Sequence, residues 1–438
     1  MHCRADRPGW RRTGLLTLLA ATALVPVGAL AQVRDVAEAA AAPAAGASFL
    51  TGDWGGARSN LTDAGVNFRG DYVSETFDNV SGGLRRGSAY AQQVRLGADF
   101  DMARLAGWDG TTLHFTINDR RGTGISSDFI GNRLPVQEAY GGLYTRLSEA
   151  SVEQSLLAGR LNLRLGYFAM GNDLGGLAIG CQFVNAAFCS HPLSLSGNSG
   201  WYNYPNARWG AAVRYRLLPE LLVHTGVFQD NARLGEQRNA FNVFAAGTQG
   251  MMLPLELEYA PGSAPSSKAM PGHYKAGVFY DTARVARQGE TGTVGERYGL
   301  YLLADQMILR TGSAGRALSV FGHFTANPAA SAQITRWYAA GLVKTGTFAG
   351  RDADTLALGI VYARLNPRLR AIAEASAGPD GDASLPAGES VIELIYGLQP
   401  LRWLGVKASI QYIVDPGAFS YRSTQNALAL GTQVKITF

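Results

Sequence analysis

The last stretch of the chain, from Asn426 to Phe438, constrains the fold most strongly. Its apolar side chains share one parity, at Leu428, Leu430, Val434, Ile436 and Phe438. Its small or polar side chains share the other parity, at Ala427, Ala429, Gln433, Lys435 and Thr437. A period of two predicts a strand with one apolar face and one polar face. Such strands occur in soluble β-sandwiches and in membrane barrels, where the apolar side chains face lipid and the polar ones face an aqueous lumen.

The rest of the chain favours the barrel. Short alternating runs, separated by Gly, Asn, Asp and Pro, follow one another from about Val66; Thr111–Asn118 and Thr355–Ala363 are clear examples. About sixteen such runs start near 66, 88, 111, 142, 161, 208, 221, 251, 272, 295, 316, 334, 353, 387, 402 and 426. Beyond the N-terminal leader, no apolar run approaches the ~18 residues that a membrane helix needs. We therefore expect an all-β protein, a transmembrane antiparallel β-barrel of about 16 strands with a water-filled interior.

The two ends of the chain indicate export to the bacterial outer membrane. Residues 1–31 have the basic start, apolar middle and Ala29-Leu30-Ala31 cleavage site of a secretory signal peptide. The Arg11–Arg12 pair leaves a twin-arginine leader as a second possibility, although the rest of that motif is poor. Residues 32–50 form an Ala-rich flexible lead-in, and residues 51–438 a single barrel domain. A terminal aromatic such as Phe438 is typical of bacterial outer-membrane proteins, where it serves as an assembly signal.

Charge and motifs exclude several classes of function. Removing the four Arg and one Asp of the leader from 39 basic and 34 acidic residues leaves 35 and 33, a net charge of +2. No basic tract with interleaved aromatics points to nucleic acid. The sequence contains no G-x-S-x-G, H-E-x-x-H or phosphate-binding loop, so we expect neither an enzyme nor a cofactor.

Two cysteines remain after the leader is removed. Cys181 and Cys189 lie eight positions apart in an oxidising compartment, and a local disulfide between them is a reasonable prediction. Only His191 lies near them as a further ligand, so no metal site is expected, because zinc takes three or four protein ligands.

Several motifs, in collinear order, resemble one family. They include G-D-W-G-G-A-R at 52–58, G-W-D-G-T-T-L-H-F at 107–115, Y-G-L-Y-L-L-A-D-Q-M at 298–307 and G-R-D-A-D-T-L-A-L-G-I-V-Y-A-R at 350–364. The chain resembles the carbohydrate-selective porins of the OprB type from residue 51 to the C-terminus. The resemblance implies an outer-membrane channel that passes small sugars such as glucose passively into the periplasm, usually as a homotrimer surrounded by lipid. Two departures bear on the pore lining: Ser151 replaces a bulky aromatic, and F-C-S-H-P at 188–192 replaces F-G-W-P.

Strand parity gives candidate pore-lining residues. Carboxylates accept hydrogen bonds from sugar hydroxyl groups, whereas Arg and Asn side chains donate to them. The candidates for sugar contact are Glu75, Arg85, Arg86, Arg95, Asp99, His114, Asn118, Glu149, Glu153, Arg164 and Arg214. Each of them could instead only solvate a wet wall, and Arg85 and Arg86 could only flank a turn. The Gly-, Asn- and Ser-rich stretch Met170 to Asn206 is the candidate for a loop that folds into the pore.

Two other functions remain as alternatives to a sugar-selective channel. A general diffusion porin without sugar preference would share the fold. An outer-membrane barrel enzyme would carry catalytic residues on the barrel wall, and no convincing Ser/His/Asp arrangement supports it.

Overall fold

The structure is a computed structural model that describes residues 48–312, 315–376 and 385–438. The predicted signal peptide and most of the predicted lead-in lie outside these residues, so both stay predictions.

Sixteen antiparallel strands form one closed barrel, in which each strand pairs with its neighbours in sequence and the last strand closes on the first. The strands are β1 (Val66–Ser81), β2 (Gly87–Asp101), β3 (Thr111–Gly122), β4 (Thr145–Leu156), β5 (Leu161–Phe168), β6 (Arg208–Leu218), β7 (Leu221–Asp230), β8 (Gly250–Tyr259), β9 (Gly272–Asp281), β12 (Arg297–Arg310), β13 (Ala317–Ala326), β14 (Ile334–Thr345), β15 (Thr355–Leu365), β16 (Gly388–Leu401), β17 (Leu404–Val414) and β18 (Ala427–Thr437). Strands β10 (Val285–Ala286) and β11 (Thr293–Val294) form a separate small hairpin. The predicted fold class is confirmed, and each barrel strand begins within three residues of a predicted start.

The helices are short and lie in the segments before and between the barrel strands. They are α1 (Ala57–Asp63), α2 (Met102–Ala106), α3 (Leu193–Ser196) and α4 (Pro367–Ser376). Within the described residues, none of the helices is long and apolar enough to span a membrane.

The two rims of the barrel differ. One rim, here called the short-turn rim, carries turns such as residues 219–220 and 402–403. The other, here called the long-loop rim, carries the β3–β4 loop (residues 123–144) and the β5–β6 loop (residues 169–207). Outer-membrane barrels have short periplasmic turns and longer extracellular loops. This rule places the short-turn rim in the periplasm and the long-loop rim outside the cell.

Alternation along the strands separates an apolar outer face from a polar inner face. In β8, Leu253, Leu255 and Leu257 are exposed on the outside, whereas Glu256 and Glu258 are buried on the inside. The parity predicted for the C-terminal strand is confirmed: Gln433 points inward, and its Nε2 donates to Glu75 Oε1 at 2.7 Å. Because successive strand side chains point to opposite faces, the apolar parity forms a continuous outer band for lipid.

The seam between the first and last strands involves the C-terminal residue. The amide of Phe438 donates to the carbonyl oxygen of Gly70 at 3.0 Å. A Cβ atom at Gly70 would lie 2.8 Å from the Phe438 ring, so the ring packs directly on bare backbone. Phe438 thus contributes to closing the barrel and lies away from the lumen.

Candidate functional site

The β5–β6 loop turns into the barrel and fills part of it with aromatic side chains. Phe183 and Phe188 stack with ring centroids 4.4 Å apart, and Phe183 meets Phe321 of β13 at 5.6 Å. Further along the loop, the Trp201 ring contacts Tyr301 of β12 at 5.6 Å. Phe183, Phe188 and Trp201 are at most 1% exposed. The stretch that the sequence suggested as a pore-inserted loop therefore does fold inward.

A glycine on the wall makes room for this loop. A Cβ atom at Gly359 of β15 would lie 2.8 Å from the Phe188 ring and 2.9 Å from the Phe183 ring. The stacked pair thus rests on strand backbone that has no side chain. Such close contact between the loop and the wall is normal for a protein interior, which packs as densely as an organic crystal.

Buried carboxylates on the wall hold both loops. Glu389 accepts hydrogen bonds from the backbone amides of Arg133 and Leu134, both at 2.8 Å. Glu393 accepts from the amides of Val184 and Asn185 at 3.2 and 3.1 Å. Both carboxylates are 0% exposed. Backbone N–H groups buried away from water need acceptors, and a carboxylate with two oxygens can satisfy two of them.

The same arrangement recurs elsewhere around the barrel. Glu256 accepts from the amide of Gly175 at 2.8 Å, and Asp281 accepts from the amide of Gly200 at 2.7 Å. Both acceptors are 0% exposed. The inward charges on β8, β9 and β16 therefore position the loops, and a passing solute cannot reach them.

The tip of the β5–β6 loop is a disulfide-closed hairpin. Cys181 and Cys189 are bonded, with an S–S distance of 2.02 Å. The Lys407 ammonium group on β17 donates to the carbonyl oxygen of Cys181 at 2.8 Å. Because Lys407 lies near the start of β17, at the short-turn end, the hairpin reaches deep into the barrel.

The inner wall of β1 to β3 keeps partly exposed charges. Arg69 forms an ion pair with Asp99 at 2.7 Å, and their side chains are 26% and 22% exposed. His114 Nδ1 bonds the other oxygen of Asp99. Arg95 binds Asp71 through its Nε at 2.5 Å. Donors and acceptors thus alternate on one open wall.

A second network continues this wall on β4 and β5. Arg164 bridges Glu149 of β4 and Asp173 of the β5–β6 loop, each at 2.5 Å. The Ser151 hydroxyl donates to Glu149 Oε1 at 2.9 Å. Glu153 pairs across the sheet with Arg164, and Arg214 of β6 pairs with Asn162. We name the polar inner surface of β1 to β6 the charged wall; it comprises Arg69, Asp71, Arg95, Asp99, His114, Glu149, Glu153, Arg164 and Arg214. Asp71, His114 and Arg164 are buried in this wall, and the other six side chains are partly exposed.

Four of the predicted pore-lining residues lie elsewhere. Glu75 and Asn118 face inward as parity predicted, but both are 0% exposed because loops cover them. The Glu75 Oε2 accepts from the amide of Ala139 at 2.9 Å, and the Asn118 side chain donates to the Tyr204 hydroxyl at 2.7 Å. Neither side chain is therefore open to a solute in the lumen.

Arg85 and Arg86 lie on the exposed turn between β1 and β2, above the inner wall. Arg85 donates to the carbonyl oxygen of Asp128 at 3.0 Å and lies over the Phe129 ring, 4.4 Å from its centroid. Arg85 therefore flanks the turn and contacts the β3–β4 loop.

Sequence reasoning missed Arg69 and Asp173, which complete the two networks. Arg69 shares the inward parity of Asp71 in β1, but Val73 interrupts the polar alternation there. Asp173 lies in the β5–β6 loop, where no periodic pattern exists. Parity in β8 could have identified Glu256 and Glu258, which alternate with leucines.

One cluster has the composition of a metal site. His224, Glu256 and Glu258 come together on the inner wall of β7 and β8. Each His224 ring nitrogen lies 3.5 Å from one of the two carboxylates. Lys275 of β9 lies 3.4 and 3.8 Å from the same carboxylates. Because Lys275 already supplies positive charge there, we interpret the cluster as an ion-pair network.

A closed sixteen-stranded barrel with an apolar outer band, a polar interior and loops folded into the lumen defines an outer-membrane porin. The model of the family described as carbohydrate-selective porin, OprB family, matches residues 85–438. The chain belongs to this family, and it is an outer-membrane porin for carbohydrates.

Individual relatives agree with this assignment. The chain is 31% identical over 465 residues to Porin B of Pseudomonas aeruginosa, with 99% of each chain covered. It is 28% identical over 416 residues to a putative porin, QuiX, of Acinetobacter baylyi, with 89% of this chain and 93% of the relative covered. The high-pH structure of Pseudomonas putida OprB superposes with a TM-score of 0.82 at 29% identity, covering 90% of this chain and 99% of that one.

Proposed function

We propose that this porin passes small neutral sugars such as glucose by passive diffusion, and that the sugars contact the charged wall. The observation that carries the proposal is the pairing of opposite charges there. Arg69 and Asp99 present a donor and an acceptor side by side on a partly open surface, with side chains 26% and 22% exposed. Arg164 and Glu149 form a second such pair that is more buried, with side chains 7% and 13% exposed. A sugar hydroxyl can donate and accept in turn, so it fits such a surface. Paired charges also leave little net field to attract ions, which favours neutral solutes.

The inserted loops favour a selective channel over a general one. They cover the wall around Glu389, Glu393 and Glu256, which leaves the charged wall as the open polar surface. A solute that passes through the narrowed lumen must therefore come close to these side chains.

A barrel enzyme is not supported by the one arrangement that resembles a catalytic triad. His114 binds Asp99 and lies opposite Ser151 across β3 and β4. However, the Ser151 hydroxyl donates to Glu149, which is ion-paired with Arg164, so its proton is directed away from the His114 imidazole. A nucleophile needs its base within hydrogen-bond reach. We therefore propose a channel without enzymatic activity.

Conductance in planar bilayers tests the sugar contacts. Glucose should reduce the ion current of the wild-type channel in a saturable manner. Arg95→Ala and Asp99→Ala should each weaken this block about tenfold, because a hydrogen bond to a charged group contributes about 1.5–3 kcal/mol. Leu96→Ala is the matched control, since Leu96 lies between them on β2 but faces outward and is 51% exposed.

Two outcomes would count against the proposal. A wild-type current that does not respond to glucose or related sugars would indicate a general porin. Unchanged block in both variants would place the sugar contacts elsewhere in the lumen.

We also propose that the protein is a homotrimer whose interface includes the outer face of β1 to β4. This face carries polar groups that lipid would not satisfy. Arg121 binds Asp119 at 2.7 Å, and the Tyr90 hydroxyl donates to Gln92 at 2.9 Å. By contrast, the outer face of β8 carries Leu253, Leu255 and Leu257. A charge on the lipid face of a barrel costs up to about 2–4 kcal/mol near the midplane. Another protein surface is the better environment for such groups.

A photo-crosslinking amino acid at Gln92 tests this interface. Irradiation of membranes should yield products with the mass of two and three chains. The same amino acid at Leu358, which is 44% exposed on the apolar outer face of β15, should yield none. Equal yields from both positions, or no product from Gln92, would refute the placement of the interface.

A further inference from the structure

The outer wall near the long-loop rim carries two adjacent arginines. Arg336 of β14 and Arg364 of β15 are direct cross-strand partners. Both face outward, because they share the parity of Tyr338 and Tyr362, whose rings meet on the outer face at 6.4 Å. Like charges directly opposite each other on neighbouring strands are destabilising. An anion bound between the two guanidinium groups would remove this repulsion.

The protein itself does not supply that anion within the described residues. Arg336 donates to the backbone carbonyls of Thr335 and Asn327, at 2.8 and 3.4 Å. In the described part of the chain, no carboxylate forms an ion pair with Arg336 or Arg364. Nearby Arg368 does have such a partner, Glu290, at 2.8 Å. The Arg336–Arg364 pair therefore differs from Arg368 in lacking a carboxylate partner within the described residues.

The position of the pair corresponds to the headgroup layer of the membrane. An outer row of aromatic rings runs through Phe324, Tyr338 and Tyr362, with centroids 5.4 and 6.4 Å apart. Aromatic girdles of this kind mark the two membrane interfaces of outer-membrane barrels. Arg336 and Arg364 lie one outward-facing position beyond this row, toward the long-loop rim. Their guanidinium groups are thus at the depth of lipid headgroups in the outer leaflet.

An apolar groove adjoins the arginines. Its volume is about 590 Å³, and its lining includes Val278, Leu300, Ala326 and Pro328 together with Arg336 and Arg364. The strand register places Val278, Leu300, Ala326, Arg336 and Arg364 in one row across the outer wall. The small side chain of Ala326 leaves the hollow between Leu300 and Arg336. The groove therefore has an apolar lining with two arginines at one end.

We propose that this groove binds a phosphorylated lipid with the chemistry of lipid A, the saccharolipid of the outer leaflet. A phosphate lies between Arg336 and Arg364, because guanidinium groups bind phosphate oxygens through paired N–H donors. Val278 and Leu300 lie at the same height as the two arginines, so the first carbons of an acyl chain contact them. The chain then continues down the apolar outer face past Leu302, the next outward-facing position of β12 toward the short-turn rim. The long-loop rim faces the outer leaflet, so the phosphate of such a lipid is at the correct height.

Native mass spectrometry of the full-length mature protein in detergent tests the site. The protein is titrated with hexa-acyl lipid A that carries two phosphates, and lipid-bound species are counted. The double variant Arg336→Gln/Arg364→Gln should bind at least about tenfold more weakly, because two charge-assisted contacts are lost. The matched control is Arg310→Gln/Lys344→Gln, which removes the same charge from exposed positions near the short-turn rim and should bind like wild type.

Two further lipids distinguish the source of the phosphate. Lipid A without phosphates and phosphatidylglycerol should both bind more weakly than the phosphorylated lipid A, and the double variant should reduce this difference. Equal binding by wild type and double variant, or equal binding of lipid A with and without phosphates, would overturn the proposal. Binding of phosphatidylglycerol as strong as that of lipid A would show that the site recognises phosphate in general and not lipid A.

Two measurements check that the variants fold. Wild-type sugar block and heat-dependent gel mobility should be retained in both double variants. Should the double variant fail to assemble, Arg364→Gln alone replaces an exposed side chain and leaves the hydrogen bonds of Arg336 in place. It should weaken lipid A binding by several-fold, and an unchanged titration would equally overturn the proposal.

Discussion

Replacing Glu393 by Gln should loosen the inserted β5–β6 loop with little change in shape. Glu393 Oε1 accepts from the Val184 amide, the Ser409 hydroxyl and Gln411 Nε2, at 3.2, 2.7 and 3.1 Å. Its Oε2 accepts from the amide of Asn185 at 3.1 Å. A glutamine can place its oxygen where Oε1 lies in Glu393. Its NH2 group then takes the place of Oε2 and is directed at the Asn185 N–H. One buried donor loses its acceptor, which costs about 1–3 kcal/mol.

This cost has a measurable consequence. Because every ~1.4 kcal/mol is a factor of ten in an equilibrium constant, local opening of the loop should become about 5- to 150-fold more frequent. Backbone amides exchange hydrogen during such openings, so the exchange rate of the 181–189 segment should rise by this factor. Peptides from strand β15 should exchange as in wild type.

The control is Glu236→Gln, which changes the same group on the loop between β7 and β8, where the Glu236 side chain is 40% exposed. It should leave exchange in the 181–189 segment unchanged. If Glu393→Gln also leaves it unchanged, the backbone hydrogen bonds to this carboxylate do not hold the loop, and the proposed role of the buried carboxylates is wrong.

Three further predictions concern the same barrel. Burial lowers the pKa of His191 in the β5–β6 loop to about 3, from an ordinary value of 6.5. As the pH falls, His191 therefore binds a proton in the undocked loop at a higher pH than in the docked loop. The docked loop should therefore keep its full stability above pH 6.5 and lose it as the pH falls toward 3; His191→Phe should reduce this pH dependence of hydrogen exchange. Deleting Phe438, which packs on Gly70 at the seam, should lower the amount of folded barrel in the outer membrane without changing the conductance of the channels that assemble. A closed barrel has no free edge strand, so an unheated sample should migrate as a compact species or a trimer in a denaturing gel and shift on boiling, and identical mobility would contradict the barrel.

Strand parity was sufficient to predict the barrel and the direction of its side chains. The period of two is set by backbone geometry, and lipid on one side and water on the other impose opposite polarity. Arg95 and Asp99, on the inward parity of β2, were found in this way and do form part of the charged wall. The prediction succeeded where a residue's environment is determined by its own strand.

Parity could not show which inward residues remain open. Glu75 and Asn118 have the same pattern as Asp99, yet loops that join distant strands cover them. Contacts such as that between the Glu389 carboxylate and the amides of Arg133 and Leu134 join positions more than 250 residues apart. They involve backbone N–H groups, which every residue except proline carries, so the loop sequence contains no recognisable signal for them.

The carboxylates of the lumen therefore divide between two tasks, and this division sets how strongly a sugar can bind. Those beneath the loops, such as Glu393, use their oxygens for backbone amides and are 0% exposed. Those on the charged wall, such as Asp99 and Glu149, are already paired with arginines, so a sugar at the proposed contacts would exchange existing hydrogen bonds for new ones. Each exchange yields about 1.5 kcal/mol net, the lower end of the range for a hydrogen bond to a charged group. Because association itself costs at least about 4 kcal/mol, a few such contacts leave only weak binding. A dissociation constant of about 1 mM corresponds to a binding free energy of about −4 kcal/mol. Binding of this strength suits passage, because a sugar can load from a dilute medium and still leave toward the periplasm.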